Sequence, residues 1–236
     1  MLALVAAGYV LRSDLERRTG RGDAALALTV AAGVGGLVGA RAYWLLEHLG
    51  GPSPTDSFSA AGFTWYGGVI GGAAAMLAVA RVKQVGVVPL LGASAPALAL
   101  GYAVGRVACQ LAGDGTYGRA SDLPWAMSYP HGEVPTTQRV QPTPVYETLT
   151  SLIIFAVLWR LRTRLSAVQL FALYLLLGGL ERFLVEFVRR NGPVLVGLTQ
   201  PQLFAAAMVL AGIALLARRP LRKHAEPASA PGALPG

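Results

Sequence analysis

Charge is what this 236-residue chain has least of: Asp, Glu, Lys and Arg together make up 14% of it, against 54% hydrophobic residues. Soluble domains usually carry about 25% charged residues. The deficit, with a mean hydropathy of +0.51, excludes an ordinary soluble domain. Cysteine is nearly absent too. Cys109 stands alone, which rules out an internal disulfide and any multi-cysteine metal site. The three histidines, His48, His131 and His224, lie far apart, so no metal-ligand spacing exists and neither a metal nor another cofactor is expected. The formal charge of +8 does not point to nucleic acid, because the basic residues fall in loops without interleaved aromatics.

What is present is a series of long apolar runs. Divided at charged residues, they predict helices near 1–11, 24–46, 60–80, 87–111, 144–159, 167–188 and 201–217. The expected fold is an all-α membrane protein of about seven transmembrane helices in one bundle. A single multi-pass domain spans 1–220, with a loop of about 113–143 between helices 4 and 5. The first run is shorter than the ~20 residues a span needs and has no basic residue before it, unlike a secretory signal peptide. It reads as a chain that starts late. The tail over 221–236, rich in Ala, Pro and Gly, is expected to be disordered.

Positive charge orients the bundle. Thirteen Lys and Arg residues fall in one set of connections: Arg12 to Arg21, Arg81 and Lys83, Arg160 to Arg164, and Arg218 to Lys223. The opposite set holds four, Arg119, Arg139, Arg189 and Arg190. Short cytoplasmic loops collect Lys and Arg, so the N-terminus and the 113–143 loop are expected outside and the C-terminus in the cytoplasm. Small residues four apart, at Gly35 and Gly39, Gly67 and Gly71, Gly68 and Gly72, and Gly101 and Gly105, suit close approach of helices in lipid.

Against this apolar background a few polar residues stand out. Arg106 lies near the end of the run over 87–111, and an arginine at the centre of a membrane helix costs roughly 2.5 to 3.5 kcal/mol on insertion scales. It therefore needs a partner or a task, and an anionic lipid phosphate would supply both. Tyr66, Gly67 and Gly68 sit at the same end of the third helix. Pro142-Thr143-Pro144 starts the fifth helix, as proline in a first turn allows, and carries Tyr146 and Glu147 in with it. On the sixth helix Arg182, Glu186 and Arg189, spaced i, i+4, i+7, share one face, so Glu186 can bridge two arginines.

At these positions the chain resembles the prolipoprotein diacylglyceryl transferase family of bacterial inner-membrane enzymes, over nearly its whole length. The most specific match is Gly105-Arg106 running through Asp114 to Gly118-Arg119. It is supported by Gly39-Ala40-Arg41, Tyr66-Gly67-Gly68, Pro142 to Glu147, and Arg182 to Arg189. The resemblance implies transfer of a diacylglyceryl group from phosphatidylglycerol to the lipobox cysteine thiol of a preprolipoprotein, with a thioether formed and glycerol phosphate released. The implied partners are that lipid, the lipobox signal peptide and the membrane. Arg106, Arg182 and Tyr66 take catalytic positions, while Gly67, Gly68, Asp114, Gly118, Tyr146, Glu147 and Glu186 join Arg106 in substrate binding. Arg106 suits bidentate phosphate contact, as lysine would not.

The chain also departs from the family. Tyr66 stands where histidine is usual, Cys109 and Ala112 where asparagines are usual, and Asp114 where glutamate is usual. A tyrosine near pKa 10 is a poor base at neutral pH, so the proton acceptor stays among Tyr66, Asp114, Glu147 and His131. Cys109, among apolar neighbours, reads as a small core residue. These departures favour an alternative in which the chain binds anionic phospholipid without transferring it. A small transporter is a third reading, weakened by the lack of clear internal repeats.

Overall fold

The computed structural model describes residues 1–47 and 65–218; the expected tail, His48, His224 and the start of the third apolar run lie outside them. Seven helices carry the described chain: α1 (Leu2–Thr19), α2 (Ala24–Glu47), α3 (Trp65–Val82), α4 (Val87–Ala112), α5 (Thr143–Leu161), α6 (Ala167–Val185), which runs on into a 3-10 turn at Glu186–Val188, and α7 (Gln200–Ala217). Five of them, α2, α4, α5, α6 and α7, are long and apolar enough to cross a membrane; the apolar part of α3, Tyr66–Val82, is shorter.

The first helix does not stop near Leu11. It continues for two more turns to Thr19 because its charges are satisfied inside the bundle. Asp14, fully buried, accepts from Arg17 at 2.5 Å and Arg18 at 2.6 Å, with the Arg162 guanidinium 3.7 Å away. Arg17 and Arg18 also donate to the carbonyl of Arg162, which caps α5. A charged half-helix thus looks like loop in sequence and is helix in fact. Its apolar face, Val10, Leu11 and Leu15, packs with Leu28 of α2 and Leu90, Ala93 and Ala97 of α4. A second core joins Ala95 and Ala99 of α4 to Ile154 and Leu158 of α5 and Leu170 of α6. Helix α4 is therefore the central strut.

The glycine pairs act as expected between α2 and α3. A Cβ on Gly39 would fall 2.3 Å from the Gly67 carbonyl oxygen, and one on Gly71 2.3 Å from that of Gly35. The α4 pair divides: Gly101 faces Ala7 of α1, whereas a Cβ on Gly105 would meet nothing within 4 Å among the described residues. Helix α6 opens on a capping box between Ser166 and Gln169, and α7 on one between Thr199 and Gln202, each satisfying amide groups that a helix start leaves unpaired.

The connection between α4 and α5 adds an element that an all-α reading does not contain. Strands β1 (Met127–Tyr129) and β2 (Thr136–Val140) pair antiparallel across an irregular register, Met127 with Val140 and Tyr129 with Thr136. Tyr117 and Tyr129 stack with ring centroids 4.9 Å apart. Arg139 donates to the carbonyls of Leu123, Pro124 and Ala126. A polar segment is ordered here by backbone and guanidinium contacts, which leave no apolar period to read.

Candidate active site in the helix bundle

Glu147 is the centre of the polar cluster. Its side chain, wholly withdrawn from solvent, sits 3.0 Å from the Arg182 guanidinium and 3.3 Å from those of Arg106 and Arg189. Tyr102 donates to the same carboxylate at 2.7 Å and accepts from Arg106 at 2.9 Å. Four elements meet on one side chain: α4 supplies Tyr102 and Arg106, α5 Glu147, α6 Arg182, and the segment after the 3-10 turn Arg189. Glu186 takes the other side of the set, 2.8 Å from Arg182 and 3.9 Å from Arg189. It also accepts from Asn191 and from the Thr199 hydroxyl.

Three arginines against two carboxylates leave one net positive charge. Removing ions from water costs several kcal/mol each unless they are paired, and the pairing here is asymmetric. The Arg106 Nε is buried and has no hydrogen-bond partner among the described residues. The guanidinium lies 4.9 Å from the Tyr102 ring centroid, stacked over its face. Just beyond the span, burial and then the neighbouring Arg182 push the Arg189 guanidinium below its ordinary pKa, against the pull of Glu147.

Arg106 and Arg182 open into a cavity of about 550 Å³ between α3, α4, α5, α6 and α7. Its walls are mostly apolar, with Leu98, Ile154, Phe204 and Met208 among them, and Tyr66 and Glu181 add polar groups. Such a volume is in the range of small-molecule pockets, about 300 to 1,000 Å³.

The residues singled out in the sequence take different places around it. Tyr66 lines the cavity and meets Phe204 of α7 edge-on at 6.1 Å. Gly67 turns toward α2, where a Cβ would strike the Gly39 carbonyl and Tyr43, and Gly68 faces Gly36 and Ala40. Both belong to the α2 and α3 contact. Asp114 accepts from the Thr116 amide and hydroxyl. Burial raises its pKa, but these donors outweigh that and hold the carboxyl below its usual range. Gly118 is required by space: a Cβ would lie 2.5 Å from the Val188 carbonyl. Tyr146 accepts from the Trp125 indole. His131 is exposed, and the Cys109 sulfur lies 3.9 Å from Arg106.

Tyr102, Asn191, Thr199 and the Glu181 and Ser151 pair escape a reading of the sequence. Tyr102 sits one turn before Arg106, the i, i+4 spacing that brings side chains together on a helix, and that spacing could have found it. Asn191 and Thr199 lie in a connection without periodicity.

A membrane helix bundle with paired arginines at the polar end of an apolar cavity defines a protein that handles an amphiphile with an anionic head. A sequence profile of the prolipoprotein diacylglyceryl transferase family matches residues 1–218, and the chain belongs to that family. Among curated relatives, the phosphatidylglycerol–prolipoprotein diacylglyceryl transferase of Leptospira interrogans is 29% identical over 224 residues, covering 82% of this chain and 70% of the relative. The enzyme of the same name from Methylococcus capsulatus is 34% identical over 211 residues, with 84% and 79% covered. That from Chromohalobacter salexigens is 36% identical over 191 residues, with 77% and 70% covered.

Proposed function

We propose that this chain transfers the diacylglyceryl group of phosphatidylglycerol to the lipobox cysteine thiol of a prolipoprotein, the first step of bacterial lipoprotein maturation. The observation that carries this reading is the Arg106 guanidinium, half-buried at the end of an apolar cavity, with a buried Nε that has no hydrogen-bond partner among the described residues. A phosphodiester offers the planar pair of acceptors that such a group takes bidentately. The acyl chains fit the apolar wall toward Leu98, Ile154 and Met208.

In the reaction the sulfur bonds to the glyceryl carbon, the carbon–oxygen bond to phosphate breaks, and glycerol phosphate leaves. Charge grows on the departing phosphate, and fixed cations aimed at developing charge are the strongest device an enzyme site has. Arg106 binds the phosphate and Arg182 stabilises it as it leaves. Glu147 and Glu186 hold both arginines in place. Tyr66 lies on the cavity wall at the approach of the thiol, Gly67 and Gly68 position it by seating α3 on α2, and Asp114, Gly118 and Tyr146 shape the loop at the entrance.

The same reading puts one membrane unit over 1–220 in the bacterial inner membrane, with α1 and α3 joining within the bilayer the five helices that are long and apolar enough to cross it. The N-terminus and the 113–143 loop face outward, and the tail faces the cytoplasm. A second reading, lipid binding without transfer, is favoured by Tyr66, Cys109 and Ala112 standing where the family usually has histidine and asparagines. Purified full-length chain, incubated with phosphatidylglycerol and a lipobox peptide and assayed by mass for the added diacylglyceryl group, decides between them. Product is expected; its absence from folded protein that still binds the lipid selects the second.

A further inference from the structure

Glu181 is a carboxylate the transfer reaction has so far left without a task. It lies on α6 beside Arg182 and shares a helix face with Gly178 and Tyr174, all of them lining the cavity. No ion pair among the described residues includes it, whereas Glu147 is held by three arginines and Glu186 by two. Both of its oxygens lie 2.8 Å from a single donor, the buried Ser151 hydroxyl of α5. One hydroxyl proton satisfies one oxygen at a time, which leaves lone pairs directed at the cavity. Gly178, one turn earlier, leaves the cavity wall open, since a Cβ there would approach nothing closer than Tyr174 at 3.8 Å.

We infer that Glu181 is the proton acceptor for the substrate thiol, an inference that rests on the transferase reading above. Glu147 and Glu186 have their oxygens engaged by arginines, which removes them from the role on geometry. Asp114 is committed to Thr116; His131 is exposed in the loop. The titratable and charged groups around Glu181 are Tyr66 of α3, Tyr102 and Arg106 of α4, Glu147 of α5, and Tyr174 and Arg182 of α6. Of the carboxylates among them, Glu181 alone faces the cavity without a cation bound to it. The step balances: Glu181 takes the thiol proton, the thiolate attacks the glyceryl carbon, the carbon–oxygen bond breaks toward phosphate, and the proton passes to the departing glycerol phosphate. In this chain, whose Tyr66 stands where the family usually has histidine, an acid on α6 thereby supplies the base.

The test compares wild type and Glu181→Gln on two peptides, one with the lipobox cysteine and one with selenocysteine there, whose selenol is ionised at neutral pH and needs no base. With cysteine, E181Q is expected to lose about 100-fold or more in kcat, the usual scale of general base catalysis. With selenocysteine the loss is expected to fall below about five-fold, which also shows that the variant folds and binds lipid. Equal losses on both peptides, or none on either, overturn the inference. If E181Q cannot be purified, Ser151→Ala decides: without the hydroxyl that holds the carboxylate in place, kcat on the cysteine peptide is expected to fall about ten-fold further than on the selenocysteine peptide, and equal changes on both overturn the inference. Wild type inactive on both peptides would instead overturn the transferase reading itself.

Discussion

Glu147 does its work through charge. Replacing it with Gln leaves Arg106, Arg182 and Arg189 without their shared anion, and breaking a buried ion pair in this way costs about 3 to 5 kcal/mol. Thermal melting in detergent should show the loss. Arg106→Lys keeps the charge and removes the planar fork, so transfer is expected to fall about ten- to a hundred-fold with little change in melting. Unchanged kcat/KM would remove bidentate phosphate contact from the mechanism. Arg106 and Glu147 were legible in the sequence because charge is conspicuous in an apolar run. Glu181 was not. Nothing in its spacing sets it apart from the Arg182, Glu186 and Arg189 face, and only the packing of α5 against α6 brings it to Ser151 and the cavity.

At the scale of elements, glycines divide into those that seat a helix and those that do not. Gly67→Ala drives a methyl into the Gly39 carbonyl and Tyr43 and should lower the melting temperature, whereas Gly105→Ala meets open space and gains helix propensity of up to about 1 kcal/mol. Equal effects from the two would contradict the packing described. The loop after α4 carries a pH dependence. The Asp114 carboxyl titrates below its usual value when folded, so its contribution is present above the unfolded pKa of about 3.9 and is lost as pH falls through the lower folded value. Amide exchange around Thr116 should quicken in that acidic window in wild type, and already at neutral pH in Asp114→Asn. Helix positions were readable because apolar runs mark them directly. The β hairpin and the second half of α1 were not, since Arg139 and the Asp14 cluster order polar segments through contacts remote in sequence.

Across the whole molecule the proposed orientation makes a simple prediction. With Cys109 replaced by Ser, a cysteine introduced at His131 should react with a membrane-impermeant maleimide added outside spheroplasts, and one at Arg164 only after lysis. Both positions are exposed, so the reverse pattern would invert the topology. The Asp14 cluster adds a consequence for how the protein is made. The arginines of α1 donate to a carbonyl about 145 positions further along the chain. During synthesis that acceptor, and the Arg162 guanidinium near Asp14, do not exist until α5 has been completed. A helix with so many charges does not settle in lipid unaided. Helix α1 is therefore locked only after α5 has been made, and its docking serves as a checkpoint on assembly.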